Sequence, residues 1–320
     1  MANMNLNVST QASLLPGQIQ KFYDRRLLEN VKPLLVHYEY GQKRPLPKHN
    51  GKTIQFRKWT KFGALTTPLV EGIVPDGQAM SQTELMATIK QYGGYVSVTD
   101  VLSLTHLDPV IAAAIEQMSD QCALTVDTLV RDVIHTGTNV MFGGTKTSRA
   151  TLTPADKLTS KDIRKAVRLL KKNGAKKLTR KGNRGYYVAI VGPDTTFDLQ
   201  DDPDWKAVAQ YQAAEKIYDG ELGKLYGVVF VETTEAKIFA GAGASSADVA
   251  STLVFGTDAY GVVDLGNVGE NVRTIVKPAG SAGTADPLDQ HSTIGWKVNG
   301  FTAVILQPGW LVRIEHGFSA

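Results

Sequence analysis

The chain has 320 residues, 42% of them hydrophobic, and a formal net charge of +4. That length suffices for one large domain or two modest ones, and no apolar run approaches the roughly 18 residues that a membrane-spanning helix needs. A single cysteine, Cys122, excludes an internal disulfide and any multi-cysteine zinc site.

The opening MANMNLNVSTQASLLPG lacks the basic n-region and the continuous apolar h-region of a secretory signal, and folding in a reducing cytoplasm fits the cysteine usage. Residues 1–48 read as an arm. It holds one short amphipathic helix, Gly17 to Leu28, with Ile19, Phe22, Tyr23 and Leu27 on one face, among Pro16, Pro33, Pro45 and Pro47. Residues 49–99 read as an extended loop built from two strands. The first is KTIQFRKW, with Ile54 and Phe56 on one face. The second runs from about Thr83 to Thr99, where Leu85, Ala87 and Ile89 alternate with polar residues. Such a two-stranded projection is marginal in water and needs a partner surface, in this chain or in another copy.

The clearest helix follows. Asp108 is its expected N-cap and Pro109 its N1 residue. Ile111, Ile115, Met118, Cys122, Val126, Leu129 and Val133 form one stripe, and Gly137 ends it. Cys122 lies in that stripe and reads as core. Residues 151–274 read as a compact α/β unit. It contains a helix from Ser160 to Asn173–Gly174, with Ile163, Val167 and Leu170 facing inward, and a buried strand YYVAIVG. A helical stretch near Trp205 to Tyr218 and the strands GVVFVET, TLVFG and VRTIVKP complete it, with GAGASSA as a loop. Near the end, Asn299–Gly300 suggests a type I′ hairpin between WKV and FTAVIL. The last strand, WLVRIEH, sets Leu311, Arg313 and Glu315 against Val312 and Ile314.

Charge is unevenly placed. Residues 157–184 hold twelve of the 35 Lys and Arg and one of the 31 acids, which leaves 23 basic against 30 acidic residues elsewhere. Such a segment is a solvated helix face, a patch matched to an acidic neighbour, or a surface for a polyanion.

The search for chemistry returns no catalytic, cofactor-binding or metal-binding residue. Gly51–Lys52–Thr53 lacks the first glycine of a phosphate loop, GAGASS lacks the third glycine of a dinucleotide fingerprint, and Ser281 lacks the flanks of a nucleophile elbow. The six histidines show no metal-ligand spacing. Asp198, Asp201, Asp202 and Asp204 read as turn and N-cap residues around Pro203 rather than a cation site.

Several stretches resemble the major capsid protein of tailed bacteriophages, the Hong Kong 97 fold, and are most similar to its N-four-like podophage branch. They include LTSKDIRKAVRLLKKNGA, YYVAIVGPDTTFDLQDDPDW, VAQYQAAEKIYDGELGKLYGVVFVETTEAKIF, TLVFGTDAYGVV, and VRTIVKP through GTADPLDQHSTIGWK. The resemblance implies an α+β fold in five parts: an arm (1–48), an extended loop (49–99), a peripheral domain with a spine helix (100–150), an axial domain (151–274) and a return to the peripheral domain (275–320). The terminal strand would then pair near the base of the extended loop.

The resemblance further implies a structural, non-enzymatic subunit of the virion, assembled in the bacterial host cytoplasm. Pentamers and hexamers would form an icosahedral head around double-stranded DNA, with scaffolding, portal and decoration proteins as partners and no membrane. Lys58 and Lys61 carry no signal of covalent cross-linking. An encapsulin-like compartment shell and a soluble oligomeric α/β enzyme are the alternatives.

Overall fold

The computed structural model describes residues 35–319, apart from 61, 70, 73, 75, 106–109, 180–184, 207–220, 267–270 and 282–285. The expected helix at 17–28, the caps Asp108 and Pro109 and the helix near 205–218 lie outside the described residues, except for 205 and 206. In chain order the first elements are α1 (Val36–Glu39), β1 (Gln42–Leu46), β2 (Thr53–Trp59), β3 (Gln82–Thr88), β4 (Lys90–Thr99), α2 (Asp100–Thr105) and α3 (Val110–Ile134). There follow β5 (Val140–Phe142), α4 (Ser160–Lys172), β6 (Tyr187–Val191), α5 (Pro193–Gln200), β7 (Glu221–Leu225), β8 (Val228–Glu232) and β9 (Ile238–Phe239). The last are β10 (Val249–Phe255), β11 (Tyr260–Leu265), β12 (Val272–Lys277), β13 (His291–Ile305) and β14 (Leu311–His316).

A seven-stranded sheet runs β5-β14-β10-β6-β8-β7, with β9 on β10. All five residues of β6 are buried, because both faces of this sheet are covered and the strand can be apolar throughout. Val188 and Ile190 join α3, whereas Tyr187, Ala189 and Val191 face α4. The helix α4 presents Ile163, Val167 and Leu170 to that side, as its period predicts. Its N-cap is Thr159, whose side chain accepts from the Asp162 N–H. The adjacent Ser160 is already helical, and its hydroxyl donates to Asp204.

A five-stranded sheet is organised around β13, which takes β4 along one side and β12 then β11 along the other. The expected hairpin at Asn299–Gly300 is absent. The chain continues through these residues as one 15-residue strand, with a bulge between Val298 and Phe301. Neither residue has a positive φ, which a type I′ turn would require. Glycine is needed at 300 for closeness: a Cβ would lie 2.6 Å from the Ile89 side chain and 2.9 Å from that of Leu265. Asn271 holds the bulge, accepting from the Gly300 N–H at 2.9 Å and donating to its carbonyl at 2.6 Å.

The helix α3 is wedged between the two sheets. Met118, Cys122, Val126, Val130 and Ile134 share one cluster with Leu253, Phe255 and Leu311 from the first sheet and Tyr260, Trp296, Val298 and Phe301 from the second. The buried stripe ends on Val130 and Ile134; Leu129 and Val133 are only partly buried. At 3.6 residues per turn, steps of four follow the core face there better than the expected 129 and 133. Gly137 follows the helix without a positive φ; its place is explained by the Leu311 side chain, 3.1 Å from where a Cβ would be.

Two expectations about the strands change. The stretch 83–99 divides at Ile89: β3 pairs with β2, and β4 leaves to pair with β13. The terminal strand β14 lies inside the seven-stranded sheet, antiparallel to β10 and parallel to β5. It is β13, not β14, that reaches the base of the projecting loop. The predicted alternation in β14 holds, with Leu311 in the α3 cluster and Val312 and Ile314 in the α4 cluster.

Candidate assembly surfaces

The β2–β3 ladder is a separate two-stranded sheet. Its base buries Phe56 and Ala87 against Leu46, Val263 and Leu306, flanked by Ile54 and Leu85, so the partner surface for the base lies in this chain. The far end has none among the described residues. Leu65, Leu69 and Val74 are 80%, 79% and 89% exposed, beside the exposed Trp59, Phe62 and Met80. Large apolar side chains gathered on one projection are the mark of a surface that another molecule covers.

The chain entering β1 is fastened by polar contacts that sequence spacing does not announce. The backbone N–H groups of His37 and Tyr38 donate to Asp127 Oδ1 at 2.8 and 3.1 Å, and the His37 ring Nδ1 lies 2.6 Å from Asp127 Oδ2. Tyr260 donates to the His37 carbonyl at 2.5 Å. Tyr38 donates to Asp264 at 2.6 Å; burial raises the pKa of Asp264 despite that bond and the one from Asn271. His37 and Asp127 are 90 positions apart, and the one hint in sequence is an acid set in the apolar stripe of α3.

At the other end, Asp198 accepts from Lys157 Nζ at 2.8 Å and from the Ser319 N–H at 2.8 Å. Burial pushes its carboxyl up, but these bonds outweigh that and hold it below the usual carboxylate range. Glu315, buried in β14, meets Arg149 at 2.6 Å and Arg313 at 2.9 Å. Arg313 also donates to the His135 carbonyl.

The acidic residues around Pro203 are dispersed onto separate partners. Asp198 serves the clasp just described, Asp202 accepts from the Ser160 N–H, Asp204 accepts from Ser160 and Tyr226 hydroxyls, and Asp201 pairs with Lys206. Among the described residues no group of three or more His, Cys, Asp or Glu is placed to hold a metal ion. Burial raises the Cys122 thiol to about 12, which leaves it unreactive in the core. No helix among the described residues is long and apolar enough to cross a membrane.

Within the basic segment, the exposed side of α4 is wholly cationic. Every exposed residue of α4 is a cation: Lys161, Arg164, Arg168, Lys171 and Lys172. Arg164 lies over the Tyr226 ring, 5.2 Å from its centroid. Lys165, half-buried, bonds Asp162. The cations Arg180, Lys181 and Arg184 fall outside the described residues.

A sequence model of the phage capsid protein family matches residues 82–314. The chain belongs to that family. Solved structures agree on the fold. The capsid of Ralstonia phage GP4 superposes with a TM-score of 0.68 at 17% identity, over 88% of each chain. The capsid protein of cyanophage Pam1 gives 0.67 at 15%, over 85% of this chain and 87% of that one. Cyanophage P-SCSP1u gives 0.64 at 18%, over 88% of each. No curated protein matches the chain. The α+β architecture is that of the Hong Kong 97-like capsid proteins. The capsid protein's work is structural, as a unit of the phage head shell.

Proposed function

We propose that this capsid protein is the major subunit of a tailed-phage head. Pentamers and hexamers of it close an icosahedral shell around double-stranded DNA. The observation that carries this reading is the exposed apolar projection between Trp59 and Ser81 on a subunit of the capsid family. Closed symmetry lets one such surface be covered in every copy by the next.

On this reading the arm is 1–48, the extended loop 49–99, the peripheral domain 100–150 with α3 as its spine, the axial domain 151–274 and the return 275–320. Because β14 pairs with β10, the last part bridges the axial unit as well as the peripheral one. Membership of the N-four-like podophage branch is supported by the stretches 158–175 and 186–205. Assembly in the host cytoplasm, with scaffolding, portal and decoration proteins, completes the proposal.

Electron microscopy of the purified full chain tests it. Shells with five-fold and six-fold capsomers are expected; a monodisperse dimer or tetramer overturns the proposal. Particles filled with protein cargo instead of DNA would assign an encapsulin-like compartment. Uniform full-sized shells from this chain alone would remove the need for a scaffold.

A further inference from the structure

The cationic face of α4 is more regular than solubility requires. Lys161, Arg164, Arg168, Lys171 and Lys172 follow one another at three- and four-residue steps, apart from the final adjacent pair, so they form one stripe. Residues 161–172 rise about 16 Å along the helix, so the five cations follow one another at a mean axial spacing of about 4 Å. The density resembles that of phosphates along one strand of a duplex, about one per 3.4 Å of axis.

Like charges one turn apart repel and weaken a helix. Arg164 is relieved by the Tyr226 ring and the Asp204 carboxylate, and Lys165, turned inward, by Asp162, but Lys161, Arg168, Lys171 and Lys172 form no ion pair with a described residue. The rest of α4 holds it in place regardless, because Ile163, Val167 and Leu170 are buried. Lys176 and Lys177, both exposed, continue the positive surface beyond the helix end. No described helix carries an acidic array to match. The helix α3 exposes Glu116 and Asp120 one turn apart, and its exposed Asp132 is already paired with Lys237.

From this geometry we infer that the exposed face of α4 is a contact for the phosphate backbone of double-stranded DNA. The contact is independent of base sequence, since a stripe of long cationic side chains reads charge spacing and not base edges. The inference rests on the proposed function, which puts DNA inside the shell, and adds which surface of the subunit faces it.

The test uses the full chain as unassembled subunits, wild type and the quadruple variant K161Q/R168Q/K171Q/K172Q. Each is titrated by fluorescence anisotropy against a random-sequence duplex at several salt concentrations, and the same preparations are imaged for shells. Glutamine keeps helix propensity, and none of the four residues holds a described partner. The wild type is expected to bind with a steep salt dependence, and the variant to lose about 0.9 per removed contact from the slope of log K against log salt, about 3.6 in all, while shells form normally. The pair variant K171Q/K172Q, expected to lose about 1.8, supplies the reading if the quadruple variant misfolds. A wild-type chain that does not bind the duplex, or slopes unchanged by substitution, overturns the inference. Intact DNA binding with lost shells does so too, and assigns the stripe to the acidic surface of a second copy. Absence of shells from the wild type itself is the separate failure of the proposed function.

Discussion

Asn271 illustrates how one side chain substitutes for secondary structure. It is buried, and it bonds both backbone groups of Gly300 where the β13 ladder is interrupted. Asn271→Ala leaves a buried donor and acceptor unmet, at about 1–3 kcal/mol for each. Chemical denaturation of unassembled subunits should therefore show a loss of about 2 kcal/mol or more. Burial pushes the His135 imidazole down to about 3, against about 6.5 when unfolded. The folded pKa is the lower one, so the unfolded chain takes up the proton first as pH falls. His135 thus contributes full stability above pH 6.5 and loses it between 6.5 and 3, by about 1.4 kcal/mol per pH unit. Melting temperature should decline from pH 7 to pH 5, less steeply in His135→Asn; equal slopes for the two chains would contradict the assignment. Neither residue is conspicuous in sequence, because partners like Asn271 and Gly300 are joined only by folding.

Elements that bury themselves were legible and elements that exchange partners were not. The α4 face, the β6 run and the β14 alternation follow from periodicity, because each is set by one neighbouring layer. The 83–99 stretch reads as a single strand, since alternation continues across Ile89 while the partner changes from β2 to β13. Asn299–Gly300 carries the strongest short turn signal in the chain, and long-range pairing on both sides of β13 overrides it. The β2–β3 projection divides likewise, with a base closed within the subunit and a bare far end. Replacing residues 62–80 by a short Gly-Ser link should leave the melting temperature of the isolated subunit within a few degrees of wild type. It should abolish shells in electron micrographs. Normal shells would show that the exposed apolar residues have no part in assembly.

Among the described residues the two larger sheets close over α3, with chain segments remote in sequence at the centre of each. The last strand lies between β5 and β10 and carries Leu311 to one core and Val312 and Ile314 to the other. Deleting Gly309–Ala320 therefore removes an interior strand, not a frayed end. The truncated chain should lose its cooperative melting transition and form no shells; a folded, assembling truncation would refute this placement of β14. The family resemblance was legible in the stretches from 158 onward. The surfaces that serve it were only partly so: the basic segment was visible as composition, but the gathering of five of its cations on one helix face depends on which residues α4 buries.

The continuity of β13 has a mechanical side. Fifteen residues run without a turn, bonded to β4 on one side and to β12 and β11 on the other. Antiparallel bonds lie across the strand direction, so a pull along β13 loads them together in shear. A pull on the edge strand β4, away from the sheet, opens them one after another. The subunit is therefore strongest along the line of β13 and weakest across it, and a shell under internal pressure would hold or rupture according to which of those lines its neighbours pull.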